Sequence, residues 1–221
     1  MNPKSCFALT ALLALCMAAS AGHAALEEDI DRAVSIIERF GEIPEKAIPP
    51  TVLRDAKGVA ILTITKAGFV VSGRGGTGVI VARTENGWSG PSAIGSGGIG
   101  VGFQAGVQVS EYVIILNTQE AVNAFSKGSN VTLGANLSAA VGPVGRSAEA
   151  GAAPRAAIYT YSRSQGIFAG VSLEGTVIAT RYRANEDYYG KPVYVSDILA
   201  GNVKPPASAQ ALVDALSKYQ P

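Results

Sequence analysis

Basic side chains flank the most apolar part of this sequence, and two aromatic residues lie among them. Cations of this kind hold phosphate groups, and aromatic side chains settle at the boundary between lipid headgroups and acyl chains. If several of these side chains converge, they form a site for an anionic headgroup; if they stay apart, they are ordinary solvated charges at strand ends. The candidate residues are Lys57, Lys66, Arg74, Arg83, Phe69 and Trp88.

The groups that usually carry catalysis are missing from most of the chain. Both cysteines, Cys6 and Cys16, and the one histidine, His23, fall within the first 24 residues. Residues 25–221 therefore offer no thiol or imidazole, and they lack the common zinc and haem ligands. Their carboxylates are scattered, which disfavours a hydrolase with paired acids. The acidic candidates are Glu111, Glu149, Glu174, Glu186 and Asp187. We expect a protein that is not an enzyme and that uses no metal or cofactor.

One glycine motif has the G-x-G-x-x-G spacing of dinucleotide-binding loops, at Gly73, Gly75 and Gly78. Such a loop holds a pyrophosphate only where a strand precedes it and a helix follows. Here the β-branched run at residues 79–81 follows, which favours a strand. The motif is interpreted as part of a bent sheet.

The first 24 residues have the composition of a secretory signal peptide. Lys4 supplies the positive start, residues 7–17 are an apolar run, and small residues precede a cleavage point after Ala24. The sequence thus predicts an exported protein, periplasmic or secreted. Cys16 offers the alternative of a lipoprotein, although the preceding Leu15 is larger than a lipidation motif favours.

Residues 25–221 carry equal numbers of basic and acidic side chains, because Lys4 accounts for the formal net charge of +1. A nucleic-acid-binding protein normally shows a basic excess, so we expect no nucleic-acid partner. No apolar run in this part reaches the roughly 20 residues that a membrane-spanning helix requires.

Glycine spacing dominates the segment from residue 59 to residue 116. Twelve glycines fall between Gly73 and Gly106, many of them two residues apart. Because successive strand residues point to opposite faces, this spacing leaves one face of a strand almost without side chains. Glycine persists in strands where the sheet bends or where another group approaches the backbone. The bare face receives either a ligand or a helix of the chain itself.

Amphipathic stretches on both sides of these strands predict helices. Apolar side chains recur at helical spacing over residues 25–40, 118–127 and 206–219. A tight hairpin turn is expected at Asn86-Gly87. The sequence therefore predicts an α+β fold, with a glycine-rich, mostly antiparallel, bent or barrel-like sheet and helices at both chain ends. Residues 25–221 are expected to form a single domain.

Four segments occur in an order that is hard to attribute to chance. They are Ile48-Pro49-Pro50, Asp55-Ala56-Lys57-Gly58-Val59-Ala60, Trp88-Ser89-Gly90-Pro91-Ser92 and Asp197-Ile198-Leu199-Ala200-Gly201. With the glycine-rich strands between them, they resemble the SYLF domain, a lipid-binding family that includes a yeast actin-bundling branch. The likeness extends over nearly all of residues 25–219, and its most specific parts are Ala-Lys-Gly and Trp-Ser-x-Pro.

This resemblance implies a non-catalytic module that binds anionic phospholipids, in eukaryotic members notably phosphoinositides. Lys57 occupies the Ala-Lys-Gly position and is the basic residue favoured first. An exported protein would not meet cytosolic actin, so actin is expected not to be a partner. The alternative is a structural or envelope-assembly protein that binds other proteins, with the glycine face filled by its own helix.

Overall fold

The architecture comes from a computed structural model that describes residues 25–42, 47–128, 131–132, 139–141, 156–166 and 177–219. Within these ranges, the side chains of residues 69–72, 99–105, 139–141 and 165–166 are not described. The expected signal peptide, residues 1–24, lies outside the described residues.

Two long antiparallel strands form the centre of the sheet. β1 (Gly58–Thr84) and β3 (Ser92–Leu116) are joined by a turn and the short strand β2 (Gly87–Trp88), which pairs with the end of β1. The expected turn at Asn86-Gly87 is present, and Gly87 has a φ of 112°, a conformation that favours glycine. β1 and β3 pair from Gly58 and Leu116 onward, with a register shift between Phe69 and Val71.

The remaining strands add to the two ends of β3. β6 (Ile158–Gly166) pairs with residues 108–116 of β3, and β7 (Val177–Thr180) pairs with residues 94–97. β4 (Val131–Thr132) pairs with β7, and β5 (Ala139–Val141) runs parallel to β6. All the other pairings are antiparallel, so the predicted bent antiparallel sheet is confirmed.

The sheet curls because β1 doubles back on itself. A Cβ atom on Gly78 would lie 1.9 Å from the carbonyl oxygen of Ile61, and one on Gly76 would lie 2.3 Å from that of Thr63. No side chain fits into either space, so glycine permits contact between backbones. At the ends of this half-barrel, the Arg83 N–H donates a hydrogen bond to the Lys57 carbonyl oxygen at 2.8 Å.

The bare glycine face is thus met, at Gly76 and Gly78, by the first half of the same strand. We call the sheet face that carries Gly76 and Gly78 the inner face, and the opposite face the outer face. Because the G-x-G-x-x-G motif lies inside β1 and is followed by more strand, it has no helix to hold a pyrophosphate.

Helices cover both faces of the sheet. On the outer face, apolar side chains come from α1 (residues 25–41), α2 (Pro50–Asp55), α4 (Tyr182–Tyr189) and α6 (Gln210–Ser217). On the inner face they come from α3 (Gln119–Ser126) and α5 (Val195–Leu199). None of the helices in the described part of the chain is both long enough and apolar enough to cross a membrane.

α1 is held against the sheet by a buried carboxylate as well as by apolar packing. Its five core residues are Leu26, Ile30, Ala33, Ile36 and Ile37. The Asp29 side chain, 1% exposed, accepts hydrogen bonds at 2.6 Å from both Arg181 and Thr77. Arg32 adds a third contact to Asp29, at 3.0 Å. One side chain therefore joins α1, β1 and the start of α4.

Gly78→Ala should destabilise the fold, because its new methyl group would overlap the Ile61 carbonyl oxygen. Gly73→Ala is the matched control, since nothing lies within 4 Å of its Cβ position. In urea unfolding we expect Gly78→Ala to lose about 2–3 kcal/mol, a cost typical of overpacking. We expect Gly73→Ala to change stability by less than about 1 kcal/mol. Equal unfolding midpoints would contradict the close approach within β1.

Asp29→Asn should loosen α1, because it leaves Arg181 without its carboxylate. A cost of about 2–3 kcal/mol is expected, somewhat below that of a fully buried ion pair, since the Arg181 side chain is 28% exposed. Glu28→Gln is the control: the Glu28 side chain is 72% exposed and lies 3.6 Å from Arg32. If chemical denaturation gave the same free energy of unfolding for both variants, the anchoring role of Asp29 would be wrong.

Candidate functional site

Three of the six predicted site residues line one surface groove. Lys57, Arg83 and Trp88 border a depression of about 1030 Å³, and residues 199–205, from the last residue of α5 onward, line its other side. The groove also contains Lys204 and one acidic residue, Glu85. We call this the basic groove.

Arg83 has a fixed position in the lining of the basic groove. Its guanidinium lies 3.9 Å from the centre of the Trp88 ring, within the range of a cation–π contact. The same group donates hydrogen bonds at 3.2 Å to the carbonyl oxygens of Leu53 and Arg54. Burial lowers the pKa of Arg83 from its usual value, which still leaves the guanidinium charged at neutral pH. Arg83 is a preoriented cation.

Trp88 belongs to the outer core rather than to the surface. It is 8% exposed and packs within the apolar cluster under the helices. Its ring supports the Arg83 guanidinium, so the side chain of Trp88 has little surface left with which to reach a lipid interface. The side chain of Phe69, the other predicted aromatic anchor, lies outside the described residues.

Lys57 and Lys204 supply the exposed cations of the groove. The Lys57 backbone is tied to β3 through a 2.8 Å hydrogen bond to the Leu116 carbonyl oxygen, while its side chain is exposed. In the described part of the chain, neither lysine ammonium forms an ion pair. Sequence analysis missed Lys204, because no local pattern relates a lysine near the carboxyl end to Lys57.

The other two predicted cations do not join the basic groove. Lys66 is nine residues beyond Lys57, about 30 Å of extended chain, and pairs in register with Gln108. Arg74 lies past the bend of β1, opposite Gly98, and is half-buried. Both side chains belong to the inner face of the sheet. The five candidate side chains that the structure describes therefore fall into separate places rather than into one headgroup site.

The predicted acidic candidates do not form a catalytic pair where they are described. Glu111 is bound to Arg39 at 2.5 Å, whereas Glu186 and Asp187 lie on α4. Glu149 and Glu174 fall outside the described residues. Over the ranges that the structure describes, no three histidine, cysteine or acidic residues are grouped so as to hold a metal ion.

A second depression, of about 500 Å³, lies between α3 and the start of α5. Its lining includes Tyr182, 49% exposed, and Tyr194, 75% exposed, beside Lys127. The Tyr182 hydroxyl donates a 2.7 Å hydrogen bond to the carbonyl oxygen of Gly128, which fixes that ring. We call this depression the tyrosine hollow.

Comparison with known proteins identifies relatives over most of the chain. A family described as "Ysc84: Las17-binding protein actin regulator" matches residues 97–219. The SH3 domain-containing YSC84-like protein 1 of Homo sapiens is 48% identical over 202 residues, covering 88% of this chain and 59% of that protein. LAS seventeen-binding protein 3 of Saccharomyces cerevisiae (strain ATCC 204508 / S288c) is 50% identical over 173 residues, covering 76% of this chain and 38% of that protein.

Two expectations from the sequence are wrong in the light of these relatives. The expectation that actin is not a partner is wrong, because the matching family is described as an actin regulator. The expected export to the periplasm or medium is overturned by the same finding, since actin and its regulators work inside the cell. Both expectations were inferred from the same feature, the signal-peptide-like composition of the first 24 residues.

The role described for the family agrees with the non-enzymatic prediction in its general form. The description of the family names binding and regulation rather than a reaction. The chain spans about 59% of the length of the human relative, whose name includes an SH3 domain. The resemblance to the SYLF domain is confirmed: the chain belongs to the Ysc84 family of Las17-binding actin regulators.

Proposed function

We propose that this chain is a non-catalytic domain that binds anionic phospholipid surfaces and serves in actin regulation. The observation that supports the lipid part is the basic groove, in which Lys57, Arg83 and Lys204 line one depression. The description of the family supports the actin part. In this proposal Arg83 is the fixed contact for a phosphate group, and the two lysines adjust around it.

The three cations are enough for reversible attachment. Each basic side chain near an anionic membrane contributes about 1 kcal/mol, so three give about 3 kcal/mol, or roughly a hundredfold in affinity. Glu85 at the rim offsets part of this attraction. Because exposed charges are screened over about 8–10 Å at physiological salt, the attraction weakens as the salt concentration rises. The groove is suited to recognising negative charge at a surface.

The tyrosine hollow supports a second contact, with protein rather than lipid. Tyrosine is enriched at the energetic centres of protein interfaces, where its ring fills a pocket and its hydroxyl finds a polar partner. Tyr194 is largely exposed, and Tyr182 is already oriented by Gly128. In view of the family's described role, we propose actin itself as the protein that docks at this hollow.

Lys57→Ala and Lys204→Ala should each weaken binding to anionic vesicles about fivefold, and together about 25-fold, since each removes about 1 kcal/mol of attraction. Lys191→Ala is the matched control, because Lys191 is an exposed lysine that does not line the groove. Co-sedimentation with phosphatidylcholine vesicles, with and without phosphatidylserine, provides the measurement. Equal recovery on both vesicle types, or an equal loss in Lys191→Ala, would refute the groove as the lipid site.

Tyr194→Ser should reduce co-sedimentation of the domain with purified actin filaments by about tenfold or more, as for a truncated aromatic residue at the centre of an interface. Lys57→Ala, in the basic groove, should leave this binding unchanged. Folding of both variants is checked by thermal unfolding, and little change is expected for an exposed tyrosine. If Tyr194→Ser bound filaments as well as the unmodified chain does, actin would not dock at the tyrosine hollow.

A further inference from the structure

The inner face of the curled sheet changes from apolar to polar towards its bend. Near the strand ends it is filled by residues of α3 and α5. Further along β3, the inward-facing residues are Tyr112, Ser110 and Gln108, and each is at most 2% exposed. Ser110 pairs in register with Ser164 of β6, and the two hydroxyl oxygens lie 3.0 Å apart. A polar wall therefore lies inside the half-barrel.

Several polar atoms on this wall lack hydrogen-bond partners. Within the described residues, nothing bonds to the Gln108 Nε2, the Tyr112 hydroxyl or the Ser96 Oγ. Ser96 shares the inner face, because it pairs in register with Gly76. Buried polar groups are almost always satisfied, and leaving one unsatisfied is costly, so three such atoms on one face of the sheet call for an explanation.

Arg74 brings a positive charge to the same place. It pairs in register with Gly98, and its side chain lies across that glycine: a Cβ atom on Gly98 would be 2.7 Å from the Arg74 Nε. Glycine at position 98 thus makes room for the guanidinium. Burial raises the pKa of Tyr112, while the neighbouring Ser110 hydroxyl and, to a smaller extent, the positive charge of Arg74 act in the opposite direction. In the described part of the chain, Arg74 has no carboxylate partner.

We propose that this polar end of the inner face is a binding site for an oxyanion of the phosphate class. Arg74 would supply the charge, and Gln108, Tyr112 and Ser96 would supply neutral hydrogen-bond donors. A guanidinium, an amide NH₂ and hydroxyl groups all donate, which matches a group composed of acceptor oxygens. The bound oxyanion would satisfy the atoms that the protein leaves unpartnered.

This inner site is distinct from the basic groove and goes beyond the surface attachment proposed above. The groove offers exposed lysines around Arg83, whereas the inner site offers buried neutral donors around a half-buried arginine. Two kinds of molecule carry such a phosphate group: small soluble phosphates and lipid headgroups. Binding measurements with each kind separate them.

Calorimetric titration with inorganic phosphate tests the assignment. We expect saturable binding that weakens at least tenfold in Arg74→Gln and about fivefold in Gln108→Leu. Lys191→Ala is the control, because this exposed lysine lines neither the basic groove nor the inner face, and it should bind phosphate as the unmodified chain does. Absence of phosphate binding, or equal affinity in Arg74→Gln, would overturn the inner site while leaving the groove untouched.

A stability measurement shows whether Gln108 is instead a structural residue. In phosphate-free buffer, Gln108→Leu should be at least as stable to urea as the unmodified chain, because it removes a buried amide nitrogen that has no hydrogen-bond partner. A clear loss of stability would mean that Gln108 holds the fold together, and it would count against the site.

Glycerol 3-phosphate and vesicles containing phosphatidic acid separate the two sources. If Arg74→Gln loses affinity for glycerol 3-phosphate and for inorganic phosphate but retains vesicle binding, the occupant is a soluble phosphate. If Arg74→Gln also loses vesicle binding, while the Lys191→Ala control keeps both its phosphate affinity and its vesicle binding, the occupant is a lipid headgroup. If Lys57→Ala and Lys204→Ala bind vesicles as the unmodified chain does, only the assignment of the basic groove as the lipid site is refuted.

Discussion

Contact between backbones inside a single strand is the constraint on which this fold depends. β1 can double back only because positions 76 and 78 carry no side chain, where a Cβ atom would meet the carbonyl oxygens of Thr63 and Ile61. That closure gives the sheet an inside and an outside, each with its own apolar cluster and its own helices. It also brings Arg83 beside Lys57, residues that lie at opposite ends of the strand. Both the basic groove and the enclosed polar wall follow from this curl.

Much of the fold could be predicted from local patterns, because periodicity and turn chemistry act over a few residues. The helix expected at residues 25–40 runs to residue 41, the helix expected at 118–127 is α3, and the Asn86-Gly87 turn is present. Glycine spacing indicated a bare strand face. It could not indicate what meets that face, since the contact between Gly78 and Ile61 depends on the curvature of the whole strand.

Site residues were harder to predict, because a charge or ring in a sequence carries no information on its surroundings. Trp88 looked like an interfacial anchor, yet it lies in the outer core under the Arg83 guanidinium. Lys66 and Arg74 resembled Lys57 in type, but strand alternation and the bend put them on the inner face. Lys204 joins Lys57 only through tertiary packing. A basic residue can be found by reading the chain, whereas its neighbours depend on long-range contacts.

The packing of α3 beside α5 sets the distance between the basic groove and the tyrosine hollow, and so between the ligands proposed for them. Gln119 at the start of α3 borders the basic groove, and Asn123 and Lys127 further along border the tyrosine hollow. α5 runs the other way, with Val195 at the hollow and Leu199 at the groove. Eight helical residues span about 12 Å. This short rigid spacer would keep a docked filament roughly one helix length from the bilayer, closer than a flexible linker would hold it.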